Sequence, residues 1–502
     1  MFFKSSRSQT DLETLDSFGT LNQSGCDMGS YNEELQKQRN SRTISLRQQY
    51  NLPSIINAAK ATAMKNRITS TSIPPFLSPS YIVSTLQNST SDINSFQTLL
   101  SQIIEYSTKY PRVSKPSLNN SSVVEAFAEV FNMDTLSDQL IITLMKTIAC
   151  IFPLCDKEYT FFVDSGLILP IYNYLSSPNP ELVLNCCSLI STITTFSGYA
   201  RDSILGMEIH NILSDIAMNE NSPPLIVNMA VDAIYHIFAN RSQIESEVLN
   251  SALPNIVRLL NIKNKVAIDQ VIMTLVEMTN KYCYLVITLY EMGLFPYFLS
   301  LIDDDDLKSS ALCLLGNLCV GHPSQVTFLI NKGLVVKLSE LMQTGKYPDA
   351  FWVYSNLIEA APQILLPLIN NDFLTMLVSV ASSSSFELRK EACYLLLTII
   401  IKSNLSEITN FITEPIMDTL SDMLSSGDEH IVLRCIDTLI KFCQAATKDS
   451  SIIQSLVGLA NSSDLATALS EVIDEDGENA KNTEIVEKAE YLYGQLTSMI
   501  SQ

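Results

Sequence analysis

One tryptophan, four histidines and 15 glycines in 502 residues leave several chemistries without material. A β-rich or α/β fold uses glycine in tight turns and phosphate-binding loops, and this chain has little to offer them. His210, His236, His322 and His430 are scattered, with no partner at metal-ligand spacing, so no metal site is expected. Basic residues are also in the minority, 32 against 53 acidic ones, for a formal charge of −21. That balance excludes a nucleic-acid surface and favours a basic partner. The eleven cysteines contain no CxxC pair. Cys186, Cys187, Cys313 and Cys319 sit among apolar neighbours and read as buried, reduced thiols. No run of eighteen uninterrupted apolar residues occurs, and the opening "MFFKSSRSQTDLETLDS" turns polar too soon for a signal peptide. No membrane insertion and a cytosolic or nuclear location are the expectation.

Chemistry of reaction is equally thin. There is no glycine-rich phosphate loop and no nucleophile–histidine arrangement, so no catalytic residue, no cofactor and no enzymatic activity are expected. The run Asp303 to Asp306 lacks the alternate spacing and glycine of a calcium loop and reads instead as a helix N-terminal cap.

What the chain has is repetition. Residues 1–75 are rich in Ser, Thr, Asn and Gln and read as a mobile arm and linker, with a helix-compatible basic island at 32–53. Beyond it, "FVDSGLILPIYNYL" (162–175) recurs as "LYEMGLFPYFLSL" (289–301) and "LINKGLVVKLSEL" (329–341). In each, a glycine separates the end of one apolar helix from the start of another, where a left-handed residue is wanted. The interval is roughly 40 residues, the period of HEAT and armadillo helical repeats. The expected fold is all-α: a right-handed superhelical armadillo solenoid over 76–497, of about ten repeats, carrying a flexible N-terminal arm.

A solenoid repeats its inner-helix positions as a ladder. Sixteen residues before Gly333 stands Asn317, and the same count before Gly293 reaches Glu277; Asn356 and Thr398 fall in the same column further on. The single tryptophan, in "DAFWVYSNLIEA" (349–360), belongs to this column: Asp349, Trp352 and Asn356 share one helix face at offsets of three and four. Glu391 and Tyr394 hold the acid and aromatic offsets of the next unit. Such a set suits a basic, extended peptide. An indole face takes the methylene stem and cation of Lys or Arg. Asn holds the peptide backbone whatever its side chains, and the carboxylates neutralise the cation. Against this stands a plain alternative, since an aromatic at helical spacing is usually core.

"SSALCLLGNLCVG", "DAFWVYSNLIEAAP" and "RKEACYLLLTIII" resemble, in order, the sixth to eighth repeats of the importin-α family of nuclear import adaptors. Segment 81–104 is similar to that family's opening repeat and 482–496 to its closing helices. The resemblance implies a cytoplasmic and nuclear adaptor that binds nuclear-localisation signals of cargo proteins through Asn317, Asp349, Trp352, Asn356, Glu391 and Tyr394. It implies importin-β as partner of the basic island, through Lys37, Arg39, Arg42 and Arg47, and an export receptor at the acidic stretch 472–491. The match is uneven. In the second to fourth repeats, where the family has its main pocket, Thr147, Thr192 and His236 stand in the Asn column and Thr143, Ser188 and Asp232 at the tryptophan positions. Thr195 and Phe196 replace a Gly–Asp pair, and Gln36, Gln48 and Gln49 dilute the arm. Two functions follow: an adaptor using its later-repeat site, or an armadillo interaction scaffold without conventional cargo.

Overall fold

Proline and asparagine mark where the helices begin. Pro180, Pro224, Pro323 and Pro348 each open a helix, at the position where a missing N–H costs nothing. Asn179 accepts a backbone N–H group ahead of Pro180, and Asp428 and Asp92 do so at other starts. The glycine turns adopt the left-handed conformation expected of them: φ is +89° at Gly166, +73° at Gly293 and +91° at Gly333. Glu208 (φ +54°) and Asp464 (φ +52°) take the same conformation at turns where the position itself is not glycine.

The computed structural model describes residues 73–133, 135–155, 159–473 and 482–500, which form helices and no strand among these residues. They divide into two compact units within the chain, between Lys281 and Tyr282. The arm with Lys37, Arg39, Arg42 and Arg47, and positions 474–481 of the acidic stretch 472–491, lie outside the described residues.

In the first unit, long helices span Ile93–Lys109 (α1), Asp138–Ile151 (α2), Pro180–Phe196 (α3), Pro224–Ala239 (α4) and Lys265–Lys281 (α5). Their starts are 45, 42, 44 and 41 residues apart, and each packs on the next. One repeat shows the plan: Gly198–Gly206 and Ile209–Met218 precede α4, and Ile209–Met218 packs on α4 and on its counterpart Ser246–Arg258. The long helices thus form one layer and the second helices another.

The second unit repeats the scheme with Lys308–Leu318 (α6), Pro348–Ala360 (α7), Phe386–Lys402 (α8), Glu429–Lys448 (α9) and Thr483–Ile500 (α10). Helices α6 to α10 again pack in succession. Pro323–Asn331 and Leu334–Gln343 complete the repeat that ends in α7. Three helices over about forty residues, stacked through their long members, are the armadillo arrangement. Every residue from Ala350 to Glu359 on α7 is buried, as is every residue from Glu391 to Ile400 on α8. Such helices are held by neighbours on several sides, at about 1.5–3 kcal/mol for each large apolar side chain.

Polar ties recur between repeats. Lys281 Nζ donates to the carbonyls of Phe238 (2.9 Å) and Asn240 (2.6 Å) at the end of α4. Lys441 Nζ does the same to Ile401 and Ser403 (both 2.5 Å) at the end of α8. A cation on the last carbonyls of a helix satisfies acceptors that lack an intrahelical donor and complements the dipole.

One expectation is corrected. The acidic run does not cap α6, whose N-cap is Leu307 with no side-chain hydrogen bond. Asp303 pairs instead with Lys337, and Asp305 with Lys308 (2.5 Å), because the acids lie in the turn ahead of the helix. Cys186, Cys187, Cys313 and Cys319 are buried thiols, and burial pushes Cys187 up to about 12.

Candidate functional site

The first unit engages its polar column internally. Thr147 Oγ1 donates to the carbonyl of Thr143 (2.8 Å), Thr192 Oγ1 to that of Ser188 (3.0 Å) and Thr195 Oγ1 to that of Ser191 (2.7 Å). Hydroxyls near a helical carbonyl one turn back bond to their own backbone. Between α3 and α4, Ser191 Oγ donates to Asp232 Oδ2 (2.8 Å) and Thr195 Oγ1 lies 2.9 Å from His236 Nδ1. His236 Nε2 is 3.7 Å from Asp232 Oδ1. Burial lowers the His236 pKa below its ordinary value, with Asp232 opposing the shift. Phe196 is exposed, and Glu277 lies fully buried on α5.

The second unit brings the acid, tryptophan and asparagine of α7 onto one face. Asp349 is half-buried in the first turn. Trp352 lies against Gly316 of α6: a Cβ at that glycine would fall 1.8 Å from Trp352 Cζ3. Only 6 % of the tryptophan is exposed. Asn356 donates from Nδ2 to the carbonyl of Gly316 (3.1 Å), two residues before α6 ends. Asn317, beside that glycine, is itself buried. Gly316 therefore serves Trp352 by having no side chain and Asn356 by offering its carbonyl.

On α8, Glu391 and Tyr394 are buried to a similar degree, and Thr398 donates to the carbonyl of Tyr394 (2.8 Å). The aromatic carries a cation. The Arg434 guanidinium of α9 sits 5.1 Å from the Tyr394 ring centroid, and its Nε donates to Tyr394 Oη (3.0 Å). Its Nη2 donates to Glu359 Oε1 of α7 (2.8 Å), while Lys402 Nζ lies 2.6 Å from Glu359 Oε2. The Glu359 side chain is 4 % exposed and that of Arg434 13 %.

The face thus joins Asp349, Trp352, Asn356, Glu391 and Tyr394 across two adjacent helices, with Asn317 on a third. Sequence reasoning missed Gly316, Glu359, Lys402 and Arg434. A glycine inside the apolar helix "ALCLLGNL" is the signal that could have found the first. Glu359, one turn beyond Asn356, shares the column face, whereas nothing in the sequence ties it to Arg434, 75 residues on. Among the described residues there is no cluster of His, Cys, Asp or Glu able to hold a metal ion, and no single helix is long and apolar enough to cross a membrane.

No family model matches the chain, and no curated protein matches its sequence. Solved structures do resemble it. An engineered protein from a structural genomics consortium superposes with a TM-score of 0.58 at 15 % identity, covering 84 % of this chain and 99 % of its own. That likeness concerns the fold alone. A computationally designed armadillo repeat protein for modular peptide recognition covers 48 % of this chain and 98 % of its own, at 15 % identity and a TM-score of 0.40. A second designed armadillo repeat protein covers 54 % and 98 %, at 16 % identity and a TM-score of 0.32. Scores at that level bear on neither the architecture nor the function.

Proposed function

We propose that this chain is a protein-interaction adaptor of the importin-α kind, holding a basic, extended peptide on the face of α7 and α8. Asp349 and Glu391 would neutralise peptide cations, Trp352 would flank their stems, and Tyr394 would line the same face. Asn317 and Asn356 would contact the backbone. In this reading the arm, through Lys37, Arg39, Arg42 and Arg47, engages importin-β. An export receptor docks near the acidic carboxyl end, and the protein cycles between cytoplasm and nucleus.

One observation carries the reading. Tyr394 and Glu359 already hold a guanidinium, by a cation–ring contact and by a charge-assisted hydrogen bond, so the face has the chemistry that seats a basic side chain. The formal charge of −21 acts in the same direction at long range. A second reading, an interaction scaffold without conventional basic cargo, is favoured by the burial of Trp352 and by the bond from Asn356 to Gly316, which engage both residues within the chain.

The two readings separate in a binding experiment with the full-length chain and a fluorescent lysine- and arginine-rich peptide at low and high salt. A companion variant with Lys37, Arg39, Arg42 and Arg47 changed to alanine removes competition from the arm. Binding that weakens with salt and drops in Asp349→Asn and Glu391→Gln supports the adaptor. Absence of binding in both proteins, or indifference to both substitutions, leaves the scaffold.

A further inference from the structure

We propose that Arg434 is a built-in occupant of the peptide face, closing the Tyr394–Glu359 subsite to basic side chains and so setting which peptides the face accepts. The inference rests on the reading of that face as a peptide site.

Three features of the side chain argue for occupancy. First, the guanidinium is held as a captured arginine would be: 5.1 Å from an aromatic centroid, donating to a phenol oxygen at 3.0 Å and to a carboxylate at 2.8 Å. Second, its direction is unusual. Side-chain ties elsewhere in these layers link one repeat to the next, as in Lys281 to Phe238, Lys441 to Ile401 and Asn356 to Gly316. In stacked repeats, each unit contacts only its neighbours. Arg434 instead reaches from α9 past α8 to Glu359 on α7. It runs along the layer, the course that an extended peptide crossing successive helices would follow. Third, the carboxylate is filled. Glu359 gives Oε1 to Arg434 and Oε2 to Lys402, and its side chain is 4 % exposed. A peptide cation could reach this carboxylate only by displacing a residue of the protein.

The face is therefore interrupted. The position over Tyr394 is supplied from within. A peptide should gain nothing from a Lys or Arg there, and a neutral residue should serve equally well. Lys402 also pairs with Glu359, so the carboxylate should keep a partner in an Arg434→Ala variant.

Thermal unfolding of full-length wild type and Arg434→Ala is compared in equal millimolar concentrations of sodium chloride, ethylammonium chloride and ethylguanidinium chloride. The variant should melt several degrees lower and recover part of that loss, saturably, in ethylguanidinium alone; wild type should not respond. Recovery supports the subsite whether or not any cargo binds, and its absence overturns it, leaving Arg434 a structural tie. A peptide pair, with Arg or Ala at the position over Tyr394, then tests selectivity. Wild type should bind both within about twofold, and Arg434→Ala should prefer the Arg peptide about five- to tenfold, within the range for a partly buried cation–π contact and charge-assisted bond. An equal preference in both proteins overturns the specificity role. Ethylguanidinium recovery with no peptide binding in either protein keeps the subsite and rejects the adaptor reading. Should Arg434→Ala fail to fold, Arg434→Gln provides the same peptide comparison.

Discussion

Substituting Gly316 by alanine sets two known effects against each other on one helix. Inside α6 the exchange should stabilise by about 1 kcal/mol through helix propensity. The added methyl, however, would lie 1.8 Å from Trp352 Cζ3, 2.2 Å from Cη2 and 2.6 Å from Cε3. Carbon atoms rest at roughly 3.5–4.0 Å, so the indole must retreat by about 2 Å. Overpacking of this kind costs about 1–3 kcal/mol, and complete loss of a large aromatic's packing about 3–5 kcal/mol. Movement of α7 would also stretch the bond from Asn356 to the Gly316 carbonyl, a contribution of about 1 kcal/mol. The overlap wins, and a net destabilisation of about 1–3 kcal/mol is expected. Urea unfolding followed by circular dichroism measures it. Because Trp352 is the only tryptophan, its fluorescence reports the ring directly, and the native emission of the variant should shift to the red. A variant more stable than wild type by about 1 kcal/mol, with unchanged emission, would show that the indole does not rest on this glycine.

Other substitutions test the remaining parts of the fold. Glu208→Gly relieves a left-handed residue worth about 1–2 kcal/mol against an unfolded-state cost of about 0.5–1 kcal/mol, so a gain of about 0.5–1 kcal/mol should appear in chemical denaturation. Lys441→Met keeps the apolar stem but strips the donor from the Ile401 and Ser403 carbonyls; a loss of about 1–3 kcal/mol and faster amide exchange at the end of α8 are the outcome to look for. His236 has a folded pKa below its unfolded value because burial disfavours the cation, so the unfolded chain takes up the proton first. Its contribution to stability is present above pH about 6.5 and is lost as pH falls toward the folded pKa. His236→Gln should reduce the pH dependence of unfolding as pH falls below about 6.5, and an identical slope in both proteins would refute the assignment.

The repeat period, the all-helical class and the turn glycines were all determined by the sequence itself. They are local: Gly166, Gly293 and Gly333 are needed wherever one helix turns into the next, and prolines mark helix starts whatever packs around them. Asp349, Trp352 and Asn356 could be placed on one face because offsets of three and four depend only on helix geometry. What those residues touch was decided by packing between repeats. A helix face can line a peptide groove or lie against its neighbour, and the indole lies against Gly316 because α6 comes that close. The same holds for the threonines of the first unit, whose hydroxyls bond to their own helices. It holds most for Arg434, whose meeting with Tyr394 and Glu359 requires three successive helices to be stacked. Periodicity is a property of the chain; occupancy of a face arises only when the repeats are brought side by side.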